Sequence, residues 1–181
     1  MPSTQLPPTY RWLADEPGPK MLREALSLYG TLEVPGVGNS PAILAWVAQV
    51  GEKGLGAPYR HDSTPWCGAF MAIVAQRAGK PLPPIPLRAM SWLAFGVPSS
   101  TPMLGDVLVF ARSGGGHVAL YTGEDDRAYH CLGGNQSDAV TIARIAKTRL
   151  HAARRPGYRS QPANVRRVIL SSAGALSQNE A

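Results

Sequence analysis

The chain has 181 residues, 44% of them hydrophobic, which suits one folded domain with a sizeable buried core. Its two cysteines exclude a disulfide framework, and no stretch approaches the roughly 18 consecutive apolar residues of a membrane-spanning helix. The net charge of +6 is concentrated at one end: residues 142–181 contain eight Lys or Arg against one acidic residue, whereas residues 1–141 contain ten against eleven.

The N-terminal half of the chain predicts helices that follow a short proline-containing arm at residues 1–18. Beyond the arm, apolar residues recur at helical spacing in several segments, and glycine or proline marks the ends of these segments. The predicted helices span residues 20–29, 41–50 and 65–78, with a shorter one at residues 87–95.

The start of the third predicted helix places a cysteine where the helix favours its thiolate. Thr64 is a good N-cap residue, and Pro65 suits the first helical position because its ring restricts φ and it has no N–H to leave unpaired. Cys67 then lies in the first turn, where unpaired N–H groups and the helix dipole stabilise negative charge. We therefore expect a lowered pKa for Cys67 and identify it as the candidate nucleophile.

The C-terminal half of the chain predicts strands. β-type runs between Gly- and Asp-rich turns occupy residues 106–111, 117–122, 127–132 and 140–143. The first two runs predict a hairpin that places His117 at the start of its second strand, beside glycines that allow close approach of another element. Helices followed by an antiparallel meander predict an α+β fold over residues 19–156, and we expect residues 157–181 to form a loosely ordered basic tail.

Four short motifs occur in an order that resembles one known family. They are Trp-Cys-x-x-Phe at residues 66–70, Gly-Asp at 105–106, Gly-His-Val at 116–118 and Leu-Gly-Gly-Asn-Gln-Ser at 132–137. The ordered set resembles the papain-like cell-wall peptidases of the NlpC and CHAP types, and most closely a phage- and prophage-borne branch of them. The resemblance covers roughly residues 20–156. It implies a papain-like fold in which the nucleophile helix packs on the β-meander.

The same resemblance implies a reaction. Such proteins hydrolyse amide bonds of peptidoglycan, so we expect cleavage of a peptide bond or of the N-acetylmuramoyl-L-alanine amide, without a cofactor. Cys67 would attack the carbonyl carbon, and His117 would take the thiol proton and later protonate the leaving amine. A third polar residue would orient the imidazole ring of His117.

The sequence offers several candidates for this third residue. Asn135 lies just past the strand that follows His117 and would supply an amide oxygen, as in papain, so it is the first candidate. His130 is the alternative, since NlpC-type enzymes carry a second histidine on that strand. Gln136 and Asp138 are further candidates, ranked below Asn135 and His130.

Three residues upstream of the nucleophile are candidates for substrate contacts. Trp66 can pack the helix start or form a substrate platform, and Asp62 can cap its loop or shape the cleft. Tyr59 begins the loop to Ser63, which is a candidate source of an oxyanion donor beside the N–H of Cys67.

No metal ion is expected. His130 and Cys131 are adjacent on a predicted strand and therefore point to opposite faces, and the spacings typical of zinc ligands do not occur. The residues alone leave two other classes open: a Cys/His acyltransferase of the transglutaminase kind, and a structural module of a cell wall or virion that does not use its thiol.

Location and partners are predicted from the two ends of the chain. The first residues have neither a basic region nor an apolar region typical of a secretory signal, which predicts synthesis in the cytoplasm and delivery to the wall by lysis, by a secretion system or within a virion. The basic segment predicts either a solvated tail or binding to anionic envelope polymers. Nucleic acid is not an expected partner, because the segment matches no binding motif.

Overall fold

Helices precede most of the strands along the chain. The computed structural model describes residues 6–36, 38–112, 114–171 and 174–178. Within these residues the α-helices are α1 (Lys20–Ser27), α2 (Pro41–Val50), α3 (Glu52–Leu55) and α4 (Cys67–Arg77), and 3-10 helices span Pro8–Asp15, Ala89–Ala94 and Lys147–Arg149. None of these helices has the length and apolar character needed to cross a lipid bilayer.

The strands form one antiparallel sheet, and the predicted α+β class is confirmed. They are β1 (Val97–Ser99), β2 (Val107–Arg112), β3 (Gly115–Glu124), β4 (Ala128–Gly133), β5 (Thr141–Ala146) and β6 (Leu150–Arg155). Their order across the sheet is β1-β6-β2-β3-β4-β5, so the predicted meander from β2 to β5 is confirmed. The sequence did not predict β6, which pairs with β1 on one side and β2 on the other.

The predicted hairpin is formed by β2 and β3. Phe110 lies opposite His117, and the pairing continues to Arg112 opposite Gly115. Val118 belongs to the main hydrophobic cluster, which joins the sheet to the helices, whereas Phe110 belongs to a second cluster on the other face. Because α4 also packs against β3, the beginning of this strand lies beside the nucleophile helix.

Helix α4 starts later than the sequence predicted. Thr64 is not its N-cap: the Thr64 N–H donates to the carbonyl of His61 at 3.0 Å, and the helix begins at Cys67 with Trp66 in the cap position. The next residue, Gly68, packs against the chain at Leu87, where an added Cβ atom would lie 2.3 Å from the Leu87 carbonyl oxygen. A residue with a side chain would therefore push the helix start away from that segment.

The N-terminal arm packs against the domain. Residues 1–5 lie outside the described residues, but Leu6, Tyr10 and Leu13 are buried in the main cluster. The described part of the arm is thus a piece of the folded domain, and the boundary expected at residue 18 has no counterpart in the packing.

Residues 157–171, which belong to the predicted basic tail, contact the rest of the domain at several points. Val165 is buried, and the N–H of Glu124 donates to the Val168 carbonyl at 2.9 Å next to a parallel bridge from Glu124 to Ile169. At least five of the eight basic residues after position 141 form ion pairs with acidic residues of the domain. The positive charge of this segment is therefore largely compensated within the fold.

Candidate active site

The sulfur of Cys67 lies at the junction of α4 and β3. The residue is 4% exposed, and the backbone N–H groups of Val118, Gly68 and Cys67 itself favour negative charge on its sulfur. Val118 directly follows His117 along β3. The fold thus brings the predicted nucleophile to the strand that carries the predicted base, although fifty residues separate the two in sequence.

The expected lowering of the Cys67 pKa is not found. Burial raises the pKa of the thiol, while the N–H groups of Val118 and Gly68 and the positive charge of Arg112 act in the opposite direction. Burial dominates because the sulfur at the helix start is covered by protein rather than by water. The resting form of Cys67 is therefore the thiol, and a base must take its proton during a reaction.

His117 has a defined hydrogen-bond partner. Its Nε2 atom lies 3.1 Å from Oε1 of Gln136, and the residue is fully buried. The Gln136 amide nitrogen donates to the carbonyls of Thr141 at 2.6 Å and Cys131 at 3.2 Å, which assigns Oε1 to the His117 side. Nε2 of His117 consequently carries the hydrogen, and in the neutral ring Nδ1 is the basic nitrogen.

The orienting amide belongs to Gln136, one residue after the first candidate of the sequence. Asn135, Ser137 and Asp138 all have positive φ angles, of 57°, 52° and 58°. Three left-handed, non-glycine residues within four positions are uncommon and cost conformational energy. Such strained backbone is typical of loops that hold a functional side chain. Gln136 thus occupies the position that was expected of Asn135, and Asn135 serves as a left-handed turn residue.

The alternative third residue, His130, belongs to a different network. Its Nε2 atom lies 2.8 Å from the Asp125 carboxylate, and its Nδ1 atom lies 2.7 Å from the Tyr10 hydroxyl. Asp125 also accepts a hydrogen bond from Arg144 at 2.8 Å. Burial lowers the pKa of His130 despite the neighbouring carboxylate, so the contact with Asp125 is a hydrogen bond from a neutral ring rather than an ion pair.

The three candidates for substrate contacts lie in the interior. Trp66 is fully buried and donates from Nε1 to the Glu33 carboxylate at 2.9 Å. The Tyr59 hydroxyl donates to the Thr64 carbonyl at 3.1 Å. Asp62 accepts hydrogen bonds from the backbone of Val34 and Ser40 at 3.1 and 2.6 Å. These side chains hold the loops around the helix start, so they support the framework of the site rather than a substrate surface.

The cleft that reaches Cys67 has other walls. It encloses about 330 Å³ and is lined by Pro65, Cys67, Leu87, Arg88, Ala89, Met90, Arg112, Gly114, Gly115 and Gly116. From the sequence, residues 88–92 were a candidate border of the cleft, but their meeting with the end of the hairpin occurs only in the folded chain. A larger hollow of about 490 Å³ lies between the Gln136 loop and residues 174–178, but Cys67 does not line it.

The two cysteines form no disulfide bond with each other, and they lie in different places. Cys131 belongs to the second hydrophobic cluster and is fully buried. Among the residues that the structure describes, no three His, Cys, Asp or Glu side chains are grouped so that they could hold a metal ion. Cys67 therefore remains the candidate nucleophile, on a helix that packs against the strand carrying His117.

No protein-family model matches the sequence, and no curated protein matches it. Functional inference therefore depends on the geometry of the site and on the order of its motifs.

Proposed function

We propose that the protein is a papain-like cysteine hydrolase that cleaves an amide bond of peptidoglycan. One observation carries the proposal: the Cys67 sulfur contacts the backbone of Val118, next to His117, and a glutamine amide orients the imidazole ring of His117. A nucleophile, a base and an orienting acceptor are the parts that nucleophilic amide hydrolysis requires. The choice of peptidoglycan follows from the resemblance of the motifs to cell-wall peptidases.

In the proposed reaction, Nδ1 of His117 accepts the Cys67 proton as the sulfur attacks the carbonyl carbon of the substrate. Because Nε2 is held by Gln136, the imidazolium that forms keeps its orientation and can return the proton to the leaving amine. The N–H groups of Cys67 and Gly68 already point toward the sulfur and are the candidate donors to the developing oxyanion. Water then hydrolyses the thioester and regenerates the thiol.

The test is digestion of purified peptidoglycan, with the released fragments and new end groups identified by mass spectrometry. We expect the wild type to release fragments and Cys67→Ser to release none above background. Cys131→Ser is the matched control, because it alters the other buried thiol without touching the cleft. Circular dichroism of each variant confirms that the fold is retained.

The products also separate the proposal from its alternatives. Hydrolysis yields free carboxyl and amino ends, whereas an acyltransferase would join the acyl group to an added primary amine in preference to water. Wild-type activity in Cys67→Ser, or intact peptidoglycan after treatment with the wild type, would refute the assignment.

A further inference from the structure

The cleft beside Cys67 is strongly cationic. Among the described residues, Arg88 and Arg112 are the charged side chains that line it, and none of those lining it is acidic. Arg88 directly precedes the 3-10 helix Ala89–Ala94, while Arg112 ends β2, so the two guanidinium groups come from separate parts of the chain. Leu87 and Met90 provide apolar surface between them.

These two arginines differ from others in the structure. Arg144 pairs with Asp125, and Arg155 pairs with Asp106, at 2.8 and 2.9 Å. Within the described parts of the chain, neither Arg88 nor Arg112 forms an ion pair, and the buried Nε atom of Arg112 has no hydrogen-bond acceptor. A buried guanidinium nitrogen without an acceptor is costly in the free protein, and a bound anion would relieve that cost.

Arg112 is also close to the reacting atom. Arg112 and Cys67 line the same cleft, and the positive charge of Arg112 favours the thiolate of Cys67. The hairpin turn keeps it there: an added Cβ on Gly116 would lie 2.8 Å from the sulfur of Met90, so the hairpin and the 87–90 segment are in close contact. A planar guanidinium at this place matches the two oxygens of a carboxylate.

We infer that Arg112, assisted by Arg88, forms a carboxylate-binding subsite next to the nucleophile, so that the preferred substrates are amides with a free carboxylate beside the scissile bond. This inference deepens the proposed function, and the substrate class that it names depends on the proposed function. Arg112 would bind the carboxylate in a bidentate manner. This contact would place the neighbouring carbonyl carbon over the Cys67 sulfur.

A matched pair of small reagents tests the subsite without depending on hydrolysis. Iodoacetate and iodoacetamide react with Cys67 in the same way: the sulfur bonds to the methylene carbon, iodide leaves with the electron pair of the carbon–iodine bond, and a base takes the thiol proton. Only iodoacetate carries a carboxylate. We therefore divide the alkylation rate of Cys67 with iodoacetate by its rate with iodoacetamide, both measured by peptide mass spectrometry. This ratio does not depend on the fraction of Cys67 that is thiolate.

We expect this ratio to be about tenfold higher in the wild type than in Arg112→Gln, because a charge-assisted hydrogen bond is lost. Arg112→Lys keeps the charge without the planar fork and should give an intermediate ratio. Arg127→Gln, which removes an exposed arginine at another turn, is the control and should leave the ratio unchanged.

An unchanged ratio in Arg112→Gln would overturn the inference. If that variant does not fold, the exposed Arg88 offers a second test: equal ratios in the wild type, Arg88→Gln and Arg112→Lys would overturn it as well. A ratio that falls in these variants supports the subsite.

Soluble muropeptides, compared before and after carbodiimide amidation of their carboxylates, provide the substrate test. The wild type should have a kcat/KM about tenfold higher for the untreated muropeptides, and Arg112→Gln should lose most of this preference. If the wild type cleaves neither form, the proposed function fails while the alkylation ratio still decides whether the subsite exists. If it cleaves both forms equally and the ratio is insensitive to Arg112, the hydrolase stands and the subsite falls.

Discussion

His117 and His130 are fully buried histidines on neighbouring strands of one sheet, and their partners differ. His130 lies between the Tyr10 hydroxyl and the Asp125 carboxylate, so both of its ring nitrogens are used within the protein. His117 contacts the neutral amide of Gln136 through Nε2, on the strand that also contacts the Cys67 sulfur.

The comparison shows that burial alone does not identify a catalytic histidine. A ring whose two nitrogens are both engaged inside a closed network has no lone pair to offer to a substrate or to a thiol. The His117 ring is bound at Nε2 by a neutral amide, and in the proposed reaction its Nδ1 accepts the proton. We therefore propose His117 as the base and assign His130 to the network of Tyr10 and Asp125.

The largest expected effect separates the two histidines by activity. His117→Ala should lower kcat/KM for muropeptide cleavage by about 10⁴-fold, since the base is lost. His130→Ala should lower it by less than about tenfold at a temperature where both variants are folded, because both ring nitrogens of His130 are bound by Tyr10 and Asp125. The reverse order of losses, measured by chromatography of the products, would exchange the two roles.

The second prediction concerns the stability of the His130 network. Asp125→Asn should reduce the free energy of unfolding by about 3 kcal/mol, because Arg144 and His130 lose a charged partner that is buried. Asp126→Asn, at the neighbouring exposed position, is the control and should change it by less than about 0.5 kcal/mol. Urea unfolding of the three proteins measures the difference, and equal losses in both variants would mean that the network contributes little.

The third prediction concerns the orientation of His117. Gln136→Ala should lower kcat/KM by about 10²-fold with little change in KM, since the ring loses the acceptor that keeps it aligned. Asn135→Gly is the matched control, because glycine accepts the left-handed backbone at that position. A larger loss in Asn135→Gly than in Gln136→Ala would restore Asn135 as the orienting residue.

The parts of the fold that the sequence predicted depend on local signals. The helix after Pro65 and the hairpin around Gly114 follow from residues whose backbone preferences are strong in any context. The strand β6 was missed because its exposed and partly buried residues show no clear alternation; it is held by pairing with β2 and by the ion pair of Arg155 with Asp106. Such partners are distant in sequence and become visible only in the folded chain.

The candidate site, like the fold, was predictable where local motifs define it and not where distant parts of the chain meet. Cys67 and His117 stand in motifs, so their residue types and order were enough to propose them as candidates. The choice between Asn135 and Gln136 depends on which of two adjacent amides faces the ring, and three left-handed residues decide this in a way that spacing does not reveal. The expected lowering of the Cys67 pKa was wrong because helix position was considered without the burial of the sulfur.

The smallest expected effect is a dependence of the free energy of unfolding on pH, caused by the titration of His130. Burial lowers the pKa of His130 in the folded protein, so the unfolded chain binds more protons than the folded protein just below neutral pH. Its contribution to stability is therefore complete above about pH 6.5 and is lost as the pH falls toward the folded-state pKa, with a slope of at most about 1.4 kcal/mol per pH unit.

The pKa of Asp125 is also lowered, despite its burial, by the backbone N–H of Arg127 and by its bonds to His130 and Arg144, so the contribution of Asp125 is lost only below about pH 4. Urea unfolding at pH 5, 6, 7 and 8 should show the wild type losing stability below pH 7, and His130→Gln should flatten that decline because glutamine does not titrate. An equally steep decline in His130→Gln would assign the pH dependence to another titratable group.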